Sequence, residues 1–245
     1  MAKIFITGSA DGLGQMAAKL LISQGHQVVL HARNSERGRQ ALDKVSGAEN
    51  VLIADLSSIE ETKKLALEVN AMGGFDAIIH NAGVYNVSNR LIFAVNSIAP
   101  YILTCLIQRP KRLIYLSSGM HLQGNPNLDI SSNDLGRFSY SDSKLHDLIL
   151  SMAVARKWPE VYSNAVDPGW VPTKMGGTGA PDNLEKGFQT QAWLAVSNDD
   201  EAKVNGRYFY HKKEKHYLPE AADTKLQEKF LTLCEQISGV HFPTD

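Results

Sequence analysis

Short β-branched runs alternate along the chain with longer stretches whose apolar residues recur at helical spacing. Strands are expected at Lys3–Thr7, Gln27–His31, Val51–Ala54, Ala77–His80, Arg112–Leu116, Tyr162–Val166 and Arg207–Tyr210. Between the first two lies Gln15–Ser23, where Met16, Leu20 and Leu21 recur at helical spacing ahead of a Gly25 stop. A weaker pattern covers Glu36–Val45. The next helix opens at Ser57 and Ser58, hydroxyl residues suited to a cap, has Glu60 and Glu61 at its positive end, and stops near Gly73. Helices are also expected over Asn89–Gln108, Ser141–Lys157, Leu184–Val196 and Thr224–Ile237. Such alternation predicts an α/β fold: a doubly wound parallel sheet of about seven strands with helices on both faces. No proline- or serine-rich linker interrupts residues 1–245, so one domain is expected.

Composition narrows the class. The chain has 245 residues, with 25 basic against 26 acidic side chains and a formal charge of −1, which offers no general field for nucleic acid or an anionic membrane. Cys105 and Cys234 cannot form a disulfide scaffold or a four-ligand zinc site. His211 and His216, amid Lys212, Lys213 and Lys215, read as a solvated basic edge, and no metal site is expected. The stretch Leu91–Ile107 is broken by Asn96, Ser97 and Pro100 and is shorter than the roughly 20 residues of a membrane span, so a buried helix is expected. With Met1-Ala2-Lys3 running straight into the first strand and no leader pattern ahead of it, a cytoplasmic location is expected.

Two clusters carry candidate chemistry. The first strand feeds into Gly8-Ser9-Ala10-Asp11-Gly12-Leu13-Gly14, after which a helix starts. Glycines permit a sharp turn and a close ligand, and a helix N-terminus presents unpaired N–H groups to a pyrophosphate. Downstream, Tyr140 and Lys144 lie four residues apart on one helical face. An ammonium there favours the phenolate and lowers the tyrosine pKa, so the pair can exchange a proton with a carbonyl or alcohol oxygen.

The order of these and other motifs resembles the classical short-chain dehydrogenase/reductase family. The turn Thr7-Gly8-Ser9-Ala10-Asp11-Gly12-Leu13-Gly14 matches TGxxxGxG, and Tyr140-Ser141-Asp142-Ser143-Lys144 matches YxxxK. Between and after them come Asp55-Leu56, Asn81-Ala82-Gly83, Asn96, Ser117-Ser118 and Asp167-Pro168-Gly169 with Val171 and Thr173. The likeness runs from Lys3 to about Thr173.

That resemblance implies a Rossmann-type sheet and an oxidoreductase moving hydride between a nicotinamide and a carbonyl or secondary alcohol. It implies a catalytic set of Asn96, Ser118, Tyr140 and Lys144, with Lys144 also on the nicotinamide ribose. Asp55 and Leu56 would meet the adenine, Asn81-Ala82-Gly83 the adenosine ribose, and Val171 and Thr173 the carboxamide, with Pro168 and Gly169 alongside. Residue 100 is proline and cannot donate to the Asn96 carbonyl, which predicts a kink that frees this carbonyl for a water linking Lys144 to solvent. At the end of the second strand, Ala32 stands where the family places a ribose-binding carboxylate, followed by Arg33 and Asn34. NADP(H) is therefore expected over NAD(H), although Asp11 occupies a turn position that is often basic in NADP-binding relatives. A non-catalytic NADP(H)-binding sensor or scaffold of the same fold is the alternative.

Substrate selection is expected from loops 119–139 and 170–187. These carry Met120, His121, Leu122, Phe138, Trp170 and Met175, with Gly176, Gly177 and Gly179 as lid hinges, which suggests an apolar small-molecule carbonyl or alcohol. Tyr140 follows Ser118 by 22 residues, so the first loop holds an insertion. His121 receives no role. Family relatives commonly pair the helices bearing Asn96 and Tyr140 between subunits, so Tyr101, Leu148 and Met152 are expected as outward positions of a homodimer or homotetramer, with the tail 206–245 as the alternative cover for the same surfaces.

Overall fold

A computed structural model describes residues 1–129 and 134–244 of the chain. Strands β1 (Lys3–Ile6), β2 (Gln27–Ala32), β3 (Asn50–Ile53), β4 (Ala77–His80), β5 (Arg112–Leu116), β6 (Tyr162–Asp167), β7 (Arg207–Tyr210) and β8 (Lys213–Glu214) form one sheet. Its order is β3-β2-β1-β4-β5-β6-β7-β8, parallel throughout except for the β7–β8 hairpin. The expected seven strands are all present. The eighth is an edge strand of two exposed, charged residues, recruited by backbone pairing of Phe209 with Glu214 and Tyr210 with Lys213, and so without an apolar signature.

Alternate residues of each strand point to opposite faces, which is why the core has two halves. Ile4 and Ile6 enter one with Ala18, Leu21, Ala41 and Leu194; Phe5 enters the other with Leu65, Tyr101 and Leu148. Helices α1 (Gly12–Ser23), α2 (Ser35–Lys44) and, further along, α7 (Leu184–Val196) cover the first face. The second is covered by α3 (Ile59–Ala71), α4 (Asn89–Phe93), α5 (Ala99–Leu106), α6 (Tyr140–Lys157) and α8 (Thr224–Ser238). Because strand order reverses between β1 and β4, their C-terminal ends diverge and open a crevice there.

The expected helix over 89–108 is continuous from Asn89 to Leu106 and 72% buried, but not uniform. Residues Ala94–Ile98 form a π-helical turn between α4 and α5, closed by the Ala99 N–H donating to the Ala94 carbonyl. Pro100 follows directly, and the missing proline N–H explains why the ladder changes register here.

The expectation of outward faces on these helices is not met. Tyr101 and Leu148 are wholly buried and Met152 nearly so. Helix α6 buries every residue from Ser141 through Val154, lying between the sheet on one side and α8 on the other. The Tyr101 hydroxyl donates to the Val240 carbonyl at 2.8 Å, so the C-terminal segment occupies the face assigned to another subunit.

Candidate active site

Three strand ends meet at the crevice. After β1, Gly8 turns with φ +62°, a left-handed conformation, and a Cβ there would strike the Ala82 Cα at 2.8 Å. Gly14 is the site of a second close approach, and the Asn81 side chain packs in the space that a Cβ would fill. The Asn81 amide donates to the Thr7 and Gly8 carbonyls at 2.9 and 3.1 Å, clamping the turn to the end of β4. Gly12, with nothing within 4 Å of an ideal Cβ, leaves room for a ligand at the start of α1.

His31, at the end of β2, also supports this turn. Its Nδ1 accepts the Gly8 N–H at 2.9 Å, so its Nε2 carries the proton donated to the Ala54 carbonyl at 3.0 Å. Burial pushes its pKa down to about 4, keeping the ring in the neutral form that this arrangement requires.

One cavity of about 530 Å³ runs along these strand ends. Of the expected cofactor residues, Gly8, Asp11, Gly12, Leu13, Arg33, Asp55, Leu56, Asn81, Ala82, Gly83, Tyr140, Lys144, Pro168 and Thr173 line it. Others are engaged elsewhere. The Ser9 hydroxyl donates to the Ile6 carbonyl and accepts the His31 N–H, Asn34 caps α2 by accepting the Arg37 N–H, and Val171 is buried. Asp55 does not cap α3, a task that Ser58 performs; its carboxylate instead accepts from the Ser57 N–H and hydroxyl.

Two cations at the mouth were not singled out from the sequence. Arg37, in the first turn of α2, pairs with Asp11 at 2.5 Å, and Lys174 reaches the same carboxylate at 3.6 Å from the 170–187 loop. Arg37 lies four residues after Arg33, a helical spacing that could have marked it; Lys174 carried no local signal. Asp11 thus ties two cations to the turn where the sequence alone suggested a charge of the wrong sign.

At the other end, α6 positions the acid–base candidates. Ser139 and Asp142 form a reciprocal capping box that fixes where the helix starts. Lys144 is buried; its ammonium donates to the Leu116 carbonyl at 2.7 Å and to Asp147 Oδ2 at 2.8 Å, and it sits 5.5 Å from the centre of the Tyr140 ring. Tyr85 packs edge-on against that ring at 4.8 Å. Contrary to expectation, the Tyr140 pKa is raised, first because the phenol is buried; Lys144 opposes this, while the charges of Asp147 and Asp167 and nearby Tyr85 add to it. Asp147 was missed, although three residues after Lys144 is the same helical face.

The Asn96 amide donates to the Val84 carbonyl and the Ser143 hydroxyl at 3.1 and 3.0 Å, and its oxygen accepts the Val84 N–H at 2.8 Å. It therefore braces the strand-end loop against α6. Ser118, two residues past β5, caps the 3₁₀ turn Gly119–Gln123 by accepting the Met120 N–H at 3.2 Å. Ser117, its neighbour and the one of the two that lines the cavity, donates to the Lys144 carbonyl at 2.7 Å.

Among the loop residues, Met120, Leu122, Trp170 and Met175 are exposed, and Met175 lines the cavity. Phe138 is not a wall residue: it is buried and stacked on Phe93 at 4.6 Å, because the aromatic cluster around His146 claims it. His121 is also buried, donating from Nδ1 to the Ser118 carbonyl and accepting the Leu218 N–H at Nε2. Residues 130–133 of the expected 119–139 loop lie outside the described residues.

Comparison with known proteins agrees with this arrangement. The short chain dehydrogenase family model matches residues 2–106. An oxidoreductase of Emericella nidulans is 44% identical over 99% of both chains. The short-chain dehydrogenase chyC of Penicillium rubens is 43% identical, over 99% of this chain and all of its own. Among solved structures, the Pseudomonas aeruginosa RhlG/NADP complex superposes with a TM-score of 0.69 at 20% identity, over 85% of this chain and 93% of that one. Glycine turn, switch-point crevice, YxxxK helix and full-length kinship together make this chain an oxidoreductase that belongs to the short-chain dehydrogenase/reductase family.

Proposed function

We propose that the chain is an NADP(H)-dependent oxidoreductase acting between an apolar carbonyl compound and its secondary alcohol, with Asn96, Ser118, Tyr140 and Lys144 as its catalytic set. The observation that carries this is a single cavity joining a phosphate-type turn, with its cations, to Tyr140 and Lys144. The chemistry of the lining fits the cofactor: open space at Gly12, helix N–H groups at the start of α1, and two arginines at the far edge. Arg33 and Arg37 would hold the 2′-phosphate, Asp55 and Leu56 the adenine, and Lys144 and Thr173 the nicotinamide end. RhlG, whose structure is an NADP complex, has the same fold.

When bound, the reduced nicotinamide supplies the hydride. Tyr140, kept a phenol by burial, has the proton that the carbonyl oxygen needs. Ser118 accepts the Met120 N–H, which leaves its own hydrogen for the substrate oxygen. Lys144 holds a positive charge beside the phenol and is fixed by the Leu116 carbonyl. Asn96 would serve the proton supply through its backbone carbonyl, in the π turn where the ladder changes register. Exposed Tyr85, Met120, Trp170 and Met175 favour an apolar substrate, and loop 170–187, tied down through Lys174 and Asp11, would act as a lid.

Fluorescence titration with NADPH and NADH, followed by a carbonyl screen that monitors loss of reduced-nicotinamide absorbance, tests the proposal. The expected result is tighter NADPH binding with turnover that Tyr140→Phe abolishes while binding persists. Tight binding with no oxidation across a broad panel would favour a non-catalytic binder instead.

A further inference from the structure

The buried carboxylate of Asp147 has no place in the acid–base scheme above. It stands one turn along α6 from Lys144, its side chain is 4% exposed, and its Oδ2 lies 2.8 Å from the lysine ammonium. Isolated burial of a carboxylate is costly, and an apolar side chain would fill the same volume at no electrostatic cost. What the carboxylate does is cancel a charge. A lone ammonium 5.5 Å from the Tyr140 ring favours the phenolate by an amount equivalent to about two pH units at a typical protein dielectric. An anion in contact with that ammonium removes much of this pull.

We propose that Asp147 is a positioning residue that neutralises Lys144, so that Tyr140 remains a phenol and the site is set to donate a proton to a carbonyl oxygen rather than to take one from an alcohol. This rests on the assignment of Tyr140 and Lys144 as the acid–base pair. The groups facing the pair are consistent with it. Asp147 faces Lys144 and Tyr140 on its own helix and Tyr115 from β5, whose hydroxyl is engaged by Thr104 at 2.8 Å. Tyr140 is faced in addition by Tyr85 from the loop after β4 and by Asp167 from the end of β6. Behind Tyr115, His80 of β4 stacks on its ring and is held neutral by burial. Lys144 is thus the cation that reaches Tyr140, and Asp147 is the anion bonded to it. Burial pushes the Asp147 carboxyl up to about 6, and the Lys144 ammonium at 2.8 Å pulls in the opposite direction, toward the carboxylate.

The test is an ultraviolet titration of tyrosinate absorbance, with the Tyr140 step isolated by subtracting the matching Tyr140→Phe protein. Removing the anion in Asp147→Asn is expected to move that step down by about one pH unit. Asp147→Glu, which restores the charge, should leave it near the wild-type position. The alkaline limb of the kcat/KM profile for carbonyl reduction should move with it. If Asp147→Asn does not fold, the Lys144→Met/Asp147→Leu pair leaves no orphan charge and should titrate like wild type. An unmoved step in Asp147→Asn, or a double variant whose step rises by about two pH units because Lys144 was never cancelled in wild type, would overturn the proposal. A downward step in a protein that turns over no carbonyl upholds the role of Asp147 in the electrostatics and overturns the hydride-transfer assignment instead.

Discussion

Replacing Gly14 by alanine probes the link between local packing and cofactor affinity. In the middle of a helix this change normally stabilises by about 1 kcal/mol, because glycine has the larger backbone entropy to lose. At position 14 the added Cβ would lie 2.4 Å from Asn81 Nδ2 and 2.9 Å from the Gly8 carbonyl oxygen. The first is about 1 Å inside van der Waals contact. Relief requires moving either the glycine turn or the amide that donates to the Thr7 and Gly8 carbonyls. Two such bonds contribute about 1 kcal/mol each, and forced overpacking costs about 1–3 kcal/mol more. The balance is a loss of about 3 kcal/mol, expressed mainly where the turn meets its ligand, or about a hundredfold in Kd. Fluorescence titration with NADPH should show that weakening, and thermal unfolding should show a Tm lowered by a few degrees. A Gly14→Ala protein with wild-type affinity and a raised Tm would refute the packing argument.

Other consequences are open to measurement. Burial lowers the pKa of His31 and His146 to about 4 and of His80 to about 3, against about 6.5 unfolded, so below pH 6.5 the unfolded chain takes up protons that the folded one refuses. Stability should therefore fall from above pH 6.5 toward pH 4, by up to about 1.4 kcal/mol per pH unit for each histidine and partly offset by Asp147, whose raised carboxyl takes up its proton first in the folded state; urea unfolding between pH 5 and 6 should show His80→Gln reducing the slope by about 1 kcal/mol per pH unit. Arg33→Ala is expected to weaken NADPH by roughly 30-fold while leaving NADH within about twofold, since only the former has a 2′-phosphate to lose; equal loss for both would contradict that role. Because α8 and the C-terminal segment cover the faces of α5 and α6, light scattering should give a particle near the 26.9 kDa chain mass, and a dimer would require a different interface.

Much of the fold was legible because strands buried on both faces read as apolar runs and the crossovers as helical periods. All seven expected strands agree with those observed to within a residue at either end. What escaped had no periodic signal. Strand β8 is held by backbone pairing alone, and the π turn depends on which acceptor each N–H finds. Tyr101, Leu148 and Met152 resemble interface residues in sequence, but pattern cannot say whether a second subunit or the chain's own α8 lies opposite. At the site, the glycine turn and YxxxK stood out because their chemistry is local. The Arg37–Asp11–Lys174 cluster and the Lys144–Leu116 contact join segments far apart in sequence. The sign of the Tyr140 shift was missed for a related reason: burial is a property of the folded packing, and it outweighs the ammonium four residues away.

Hydride transfer at the Tyr140 end of the cavity is tested most directly by following the label. NADPH deuterated at the transferring position of the nicotinamide would be mixed with a carbonyl compound that the screen identifies, and the product analysed by mass spectrometry. Deuterium on the carbinol carbon in wild type, with none in a Tyr140→Phe protein that still binds NADPH, is the predicted result. Undiminished transfer by Tyr140→Phe, or product formed without label, would contradict it.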